Sequence, residues 1–584
     1  MKMNIEQLEV LKSIINDNLT QTDIAKSSHF SLGKVNRIIT EIQQMNYVDK
    51  NLHLTTKGRE YCSANHPHRA VILAAGYGMR MVPINTEEPK GLLEVNSEAL
   101  IERLIKQLRA VGVDEIYVVV GFMKEHYEYL IDQYNVQLIV NTNYADYKNM
   151  YSLYLAGKFL KNSYVTPCDV WFENNPFSTI EDQSWYLFSD RKVNDSGWRV
   201  TKQGNVKKIT RSNMGNRMVG IAYLNDTDGE RLSSLLQTAV NDNKMLNQFW
   251  EQILDQNNQF MLNGKMIKDE AFTEINSYEQ LRDLDFNSSH LQNDAMRVIE
   301  KALKTDLRGI TNIRVLKKGM TNRSFSFEHN GKRYIMRIPG EGTSKLINRQ
   351  HEYDVYQALK GVNWTERVLY LNSRNGYKLT AYINDAHNSS ANDWTEVSEC
   401  MALLRKLHSS SFSVNHAFNL YGQINFYEKL RQGDSAYRDY PVVKNQVKQL
   451  DEYIHAHAKP NVLCHIDANP DNFIFDKNGH LYLIDWEYAG MQDPDVDVAM
   501  FAIYAMYDKK QIDKLIDIYY QNKCDHATRY KIYAYIAVCG LLWSNWCEYK
   551  QSLGLDFGEY SLAQYRYAKE YSTFVLKELE EKNG

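Results

Sequence analysis

Cysteine is scarce in this 584-residue chain: seven residues, at 62, 168, 400, 464, 524, 539 and 547, with no CxxC pair and no metal-ligand spacing. An odd, dispersed set excludes a disulfide framework and reads as reduced cytosolic thiols. A surplus of either charge is missing too. With 68 Lys+Arg against 72 Asp+Glu the formal charge is −4, which excludes a global basic signal for nucleic acid. The N-terminus, MKMNIEQLEVLK, is amphipathic and charged and lacks the apolar centre of a signal peptide. The most apolar run, Ile532 to Trp543, is shorter than the roughly twenty residues a bilayer requires. Repeats and low-complexity tracts are absent. These absences predict a soluble, cytoplasmic protein with no membrane partner, and the length allows roughly two to four domains.

Residues 1–61 read as three short helices and a ribbon. Ile5, Leu8, Leu11, Ile14 and Ile15 recur at helical spacing, Thr20 to Ser27 forms a second helix, and Val35, Ile38, Ile39 and Ile42 share a face of a third. Tyr47-Val48 and His53-Leu54 alternate around Asp49-Lys50-Asn51 as a small hairpin does. The order resembles a winged helix-turn-helix, with Lys34, Asn36 and Arg37 on the recognition helix. DNA is the weaker expectation, because Lys34, Arg37, Lys50, Lys57 and Arg59 are offset by Glu41, Asp49 and Glu60. A docking or homodimerisation element is the stronger one. The polar stretch Cys62 to His68 reads as a linker, so residues 1–61 are expected to be dispensable for chemistry.

From Arg69 the pattern alternates strand, loop and helix: strand Ala70–Ala74, helix Leu100–Ala110, strand Ile116–Gly121, helix Glu125–Tyr134 and strand Val136–Val140. This predicts a doubly wound, Rossmann-like α/β domain over 68–285. Its first strand runs into Leu73-Ala74-Ala75-Gly76-Tyr-Gly78-Met-Arg80, and ten residues separate Gly78 from the Glu88-Pro-Lys90 segment. Glycines let backbone N–H groups approach a triphosphate, while Arg80 and Lys90 neutralise its charge. The combined pattern resembles nucleotidyltransferases that join an NTP to a phosphorylated small molecule. With Asn149-Met-Tyr-Ser152, Cys168-Asp169, Gly197-Trp198 and Glu274-Ile-Asn276, residues 68–285 resemble the bacterial phosphocholine cytidylyltransferases. The resemblance implies CTP and phosphocholine as substrates and Mg²⁺ on Asp169. It also implies that Trp198, Trp250 and Glu274 enclose the quaternary ammonium by cation–π attraction and charge. Asn276 departs from the family pattern, which commonly carries a second metal-binding aspartate there; an amide carbonyl still offers Mg²⁺ an oxygen without the charge.

After a second polar linker, Asp285 to Asp294, three short strands (Ile313–Leu316, Arg323–His329, Lys332–Ile338) precede a helix-rich remainder. A small strand lobe followed by a large helical lobe is the two-lobed kinase arrangement, expected over 295–584. His465-Ile-Asp467-Ala-Asn-Pro-Asp-Asn472 and, thirteen residues on, Asp485-Trp-Glu487 carry its chemistry. At this spacing Asp467 accepts the substrate hydroxyl proton while Asn472 and Asp485 hold Mg²⁺ against ATP. Gly319, Thr321 and Asn322, between the first two strands, cover the phosphates; Arg337 stands where the phosphate-binding lysine is usual, with Glu352 its ion-pair partner. His465 is expected to pack behind the catalytic loop and Asp497 to brace it. The GMTN and RIPG segments resemble the choline-kinase group of aminoglycoside-phosphotransferase-like kinases. That family places a tryptophan pair late in the large lobe, so the resemblance implies that Trp543 and Trp546 cage the trimethylammonium of choline, with Glu487 adding charge.

Together these readings predict a multidomain α/β and α+β enzyme that makes phosphocholine from ATP and choline and CDP-choline from CTP and phosphocholine. Two alternatives stay open: the same chemistries on ethanolamine or another amino alcohol, and a winged-helix regulator that senses nucleotides through degenerate domains.

Overall fold

Apolar runs without polar alternation make strands that are covered on both faces. Arg69–Ala74 (β1) and Glu115–Val120 (β2) are of this kind, buried from their second residue onward. Gln137–Val140 (β3), Ser163–Pro167 (β4), Trp185–Val193 (β5), Gly215–Leu224 (β6) and Asn263–Ile267 (β7) complete a seven-stranded sheet of order β7-β5-β6-β4-β1-β2-β3. β1 is parallel to β2 and β4, and β2 to β3, whereas β6 runs antiparallel to both β4 and β5. The sheet is therefore mixed. The computed structural model describes residues 3–16, 20–28, 30–84, 88–201, 204–209, 214–255, 262–316, 322–340, 346–431, 433–553 and 557–583. They divide into two compact units, 1–297 and 298–584.

Helices cover both faces of the sheet. Leu100–Ala110 buries Leu100, Ile101, Leu104, Ile105 and Leu108, spaced at three and four residues, against one face. Asn149–Leu155 and Asp226–Ala239 cover the other with Met150, Leu153, Leu232 and Leu236. The helix expected over Glu125–Tyr134 is broken into a 3₁₀ turn, Lys124–Tyr127, and a short helix, Tyr129–Tyr134. Both the glycine turn after β1 and Cys168-Asp169 after β4 leave the same end of adjacent parallel strands, the end where open α/β sheets take ligands.

The N-terminal segment forms Ile5–Asn16 (α1), Gln21–Ser27 (α2) and Leu32–Gln44 (α3), then one antiparallel bridge, Val48 to Leu54. A fourth helix, Thr56–Ala64 (α4), takes in Cys62 to Ala64, which the sequence analysis assigned to a linker. Thr55 caps it by accepting from the Gly58 N–H, and Tyr61 packs on Tyr47. Lys34 and Arg37 of α3 pair with Glu6 and Glu41, so the two cations assigned to the recognition helix are partly neutralised, in keeping with DNA as the weaker expectation.

This segment is joined to the sheet domain by buried polar contacts. Lys12 Nζ lies 3.2 Å from Glu181 Oε2, with side chains 10% and 2% exposed, and Lys265 of β7 stands 3.7 Å from the other oxygen of the same carboxylate. Burial pushes the Glu181 carboxyl up, but Lys12 and Lys265 outweigh it and hold the group below its ordinary value. Tyr61 donates to Asp182 at 2.7 Å, Gln183 donates to the Met3 carbonyl, and the Glu181 N–H donates to the Asn65 carbonyl.

The second unit opens with a five-stranded antiparallel sheet: Thr311–Val315, Asn322–His329, Lys332–Pro339, Lys378–Ala381 and Val368–Leu371 in spatial order. Helices then dominate, centred on His526–Ser552, which is buried from Lys531 to Lys550. The apolar run Ile532 to Trp543 lies in this helix, and no described helix is long and apolar enough to cross a membrane.

Removing one partner of a buried ion pair leaves an uncompensated charge and costs about 3–5 kcal/mol. Lys12→Ala is expected to lower the unfolding midpoint of the first unit by several degrees, measured by calorimetry. A chain beginning at Ser63 loses Lys12 and Tyr61 together and should be destabilised further. An unchanged midpoint in both would return residues 1–61 to the separable module the sequence suggested.

Candidate active sites

In the first unit Leu73 and Ala74 at the end of β1 and Ala75 after it are buried, and the chain turns outward at Gly76. Gly78 has φ +57, a left-handed conformation that side chains rarely adopt, and a Cβ there would lie 3.5 Å from the Lys90 side chain. The turn thus brings Lys90 under the loop. Lys90 Nζ pairs with Asp169 and donates to Asn276 Oδ1 at 2.7 Å, and Arg80 donates to the same oxygen at 3.2 Å. Asn276 in turn donates its amide to Glu274, which Arg217 holds at 3.0 Å. Arg80, Lys90, Asp169, Glu274 and Asn276, spread over nearly two hundred residues of sequence, therefore meet in one cluster. Its oxygens are ones that hold cations: the Asp169 carboxylate and the Asn276 carbonyl both take the Lys90 ammonium, so their chemistry fits a divalent ion as well.

The two tryptophans expected to cage the ammonium are placed differently. Trp250 is fully buried, packs on Tyr186 at 5.7 Å between centroids, and donates its backbone N–H to Asn149 Oδ1. Trp198 is nearly buried and lines a small apolar cleft with Tyr186, Phe188 and Leu254. Both belong to the core on one face of the sheet, and in this conformation Trp250 has no exposed ring face.

In the second unit a cavity of about 670 Å³ is lined by Arg337, Asp467, Asn472, Asp485, Glu487, Trp543 and Trp546. Arg337 grips Glu352 with two parallel bonds of 2.6 and 2.7 Å, both side chains being almost wholly buried. Burial opposes the Glu352 charge, but Arg337, Lys378 and Arg349 hold its carboxyl down to about 2. Glu487 lines the cavity, yet its carboxylate lies 3.2 Å from Arg349 and 3.6 Å from Arg337. Its charge is thus committed to the arginine cluster rather than kept for a ligand cation, which departs from the expectation. Burial and the neighbouring Asp485 push its carboxyl up to about 7. Gly319 and Thr321 lie outside the described residues, and of Asn322 the structure describes only the backbone, as the first residue of a strand.

The catalytic loop is braced from behind. Asp497 accepts the N–H groups of His465 and Ile466 at 2.8 and 2.7 Å, and His408 stands 2.8 Å from the same carboxylate. His465 packs edge-on to Trp486, with Nε2 2.9 Å from the Ile484 carbonyl. Ile466 and Asp485 have φ of +67 and +65, so non-glycine residues hold left-handed backbone directly before Asp467 and at Asp485. Asn472 donates to Asp467 Oδ2 at 3.0 Å. Burial pushes the Asp467 carboxyl up, with Asp485 adding to the effect. One oxygen of Asp485 is sealed from solvent and has no hydrogen-bond partner among the described residues, as a carboxylate shaped for a cation would.

Trp543 and Trp546 meet edge to face at 5.6 Å. Tyr488 and Tyr504 each stand 5.6 Å from Trp543, and Tyr560 is 6.4 Å from Tyr504; all three line the cavity. Sequence reasoning missed these three tyrosines. Tyr488 directly follows Glu487 and could have been found from the motif, but Tyr504 and Tyr560 lie on separate helices with no local signal.

Each unit contains a match to a known protein family. Residues 70–177 match the MobA-like NTP transferase domain, and 312–533 the phosphotransferase enzyme family. The chain is 31% identical over 221 residues to the choline-phosphate cytidylyltransferase of Streptococcus pneumoniae, covering 37% of this chain and 96% of that protein. It is 29% identical over 258 residues to protein LicA of Haemophilus influenzae, covering 42% of this chain and 95% of that one. The crystal structure of choline kinase LicA from Streptococcus pneumoniae overlays 47% of this chain and 98% of its own, at 29% identity and a TM-score of 0.43. Since nearly the whole of a cytidylyltransferase is spanned by the unit that gathers Lys90 and Asp169, this chain belongs to the choline-phosphate cytidylyltransferase family, and a phosphotransferase-family domain follows in the same polypeptide.

Proposed function

We propose that the chain makes CDP-choline in two consecutive reactions, ATP phosphorylating choline in the second unit and CTP then capping the phosphocholine in the first. The observation that carries this reading is the aromatic wall of Trp543, Trp546, Tyr488, Tyr504 and Tyr560 in the same cavity as Asp467. Aromatic faces attract a trimethylammonium, which has no N–H to donate. A primary ammonium would need acceptors at that wall, and Glu487, which lines the same cavity, is held by two arginines.

In the kinase reaction Asp467 takes the proton of the choline hydroxyl as that oxygen attacks the γ-phosphorus of ATP, the bond from that phosphorus to the β-phosphate oxygen breaks, and ADP leaves. Asn472 fixes the carboxylate through the bond to Oδ2, and Arg337, held by Glu352, faces the phosphates. Asn472 and Asp485 would hold Mg²⁺ in this unit and Asp169 and Asn276 in the other, where the ion supplies charge neutralisation at the phosphates. In the second reaction the phosphocholine phosphate oxygen attacks the α-phosphorus of CTP and pyrophosphate leaves. No covalent nucleophile is required. Arg80 and Lys90 stabilise the charge that develops, and Lys90 must exchange part of its pairing with Asp169 for the triphosphate.

Purified protein given choline, ATP, CTP and Mg²⁺ should form phosphocholine and then CDP-choline, followed by chromatography. Asp467→Asn should lower choline phosphorylation by about 10²–10⁴-fold, the usual worth of a general base, while CDP-choline still forms from supplied phosphocholine. Lys90→Ala should do the reverse and let phosphocholine accumulate. Loss of both reactions in either variant would overturn the two-site reading. Trp546→Ala should raise the KM for choline from a few-fold to about thirtyfold, the range of one cation–π contact, and leave the KM for ATP unchanged. A matching rise in both constants, with a lowered melting point, would make the pair a packing feature instead.

A further inference from the structure

The second unit carries another cavity, of about 1100 Å³, across a shared wall from the one that holds Asp467; Glu366, Ala381, Tyr382 and Ile383 line both. It lies between the helix Arg349–Ala358, the strand Val368–Leu371 and the turn that joins Phe473–Phe475 to Leu481–Leu483. Tyr353, Tyr370, Tyr382 and Tyr482 give it aromatic sides, and Lys360 and Arg367 give it charge. These two cations are exposed, and neither forms an ion pair among the described residues. Both carboxylates of the lining are already taken up. Asp476 accepts the N–H groups of Asn478 and His480 within its own turn, and Glu366 faces Lys378 at 3.1 Å. Uncommitted positive charge therefore stands beside ring faces.

The shared wall reaches the groups assigned to phosphate transfer. Tyr356, one turn after Glu352 on the same helix, donates to Glu366 and accepts from Lys378 at 2.8 Å. Lys378 also stands 3.6 Å from Glu352, the carboxylate that clamps Arg337, and Glu366 accepts the Asp485 N–H at 3.4 Å. Tyr356, Glu366, Lys378 and Glu352 are all buried, so their bonds are linked in a low-dielectric network in which moving one member shifts the others.

Phosphate selects fixed cations, and a nucleobase selects aromatic faces on which to stack. The volume exceeds what a lone phosphate fills and is of the size that organic ligands occupy. We propose that this rear cavity is an effector site for a nucleoside phosphate, with the phosphates on Arg367 and Lys360 and the base against the tyrosines. Its occupancy is passed through Tyr356, Glu366 and Lys378 to the Glu352–Arg337 clamp and to Asp485. On the reading that the chain makes CDP-choline, two sources of that chemistry are at hand, CTP and CDP-choline, and the choice of these two rests on that reading.

The test uses the full chain and adds CTP or CDP-choline in separate arms. The KM for ATP in choline phosphorylation should shift by about fivefold and then level off, as coupling between two sites does; competition for one site has no plateau. Arg367→Ala should raise the concentration needed for half the shift about tenfold, the usual worth of a hydrogen bond between charged groups, and leave the rate without effector unchanged. Arg367→Lys, which keeps the charge, should retain most of the response. With the front cavity filled by a non-hydrolysable ATP analogue, hydrogen exchange in Arg349–Ala358 and Val368–Leu371 should slow in the arm that responds, which names the source. A response to neither nucleotide, a shift without a plateau, an unaltered response in Arg367→Ala, or slowed exchange confined to the first unit would each overturn the proposal. A wild type that forms no phosphocholine before any effector is added sinks the reading of the reaction instead, and the exchange measurement still tests the cavity.

Discussion

Charge withdrawn from water must be balanced locally, and both units are built around that requirement. Phosphate chemistry needs cations at the site before the substrate arrives, and Arg337 and Lys90 are each held by a carboxylate. Arg337 is clamped by Glu352 with both side chains buried, and Lys90 lies between Asp169 and Asn276. The same rule governs places remote from chemistry. Lys531 is wholly buried between Asp493 and Asp495, and Lys12 reaches Glu181 from the N-terminal helix. Such pairs add little net stability compared with apolar packing, yet losing one partner is costly. They therefore fix register and orientation more than they add cohesion.

In the first unit this balance shapes how substrate can bind. Asn276 supplies a carbonyl without charge, and Lys90 and Arg80 share that one oxygen. Asp169 is thus the carboxylate that Lys90 leans on, and on the proposed reading an incoming triphosphate competes with that one carboxylate for the lysine. In the second unit the arginine cluster is more heavily anchored: Glu352 and Glu487 face Arg337 and Arg349 together. A planar guanidinium held by two bonds keeps its orientation as phosphates come and go, which a single lysine contact does not ensure.

Recognition of the organic cation follows a different principle, since a trimethylammonium offers no hydrogen bond. On the proposed reading the kinase cavity meets it with rings taken from four places: the segment after Asp485 (Tyr488), the end of helix Asp495–Tyr504, the middle of helix His526–Ser552 and the start of helix Glu559–Asn583. Trp543 packs edge to face on both Tyr488 and Trp546, so the rings of the wall support one another.

Local chemistry was legible in the chain. Gly78 beside Lys90, the spacing of Asp467, Asn472 and Asp485, and the pairing of Arg337 with Glu352 are short-range or motif-borne features, set by backbone reach and by the few residue types able to hold phosphate. The alternation of strand and helix from Arg69 was legible for the same reason, because periodicity records which face is buried. What the sequence could not state is which charges cancel which. That Arg217 neutralises Glu274, that Glu487 turns to the arginines, that Trp250 is core, and that α1 and α4 are joined to the sheet domain through Glu181 and Asp182 all depend on contacts between residues far apart in the chain. Electrostatic balance is a property of neighbours in space, so only the tertiary structure could decide it.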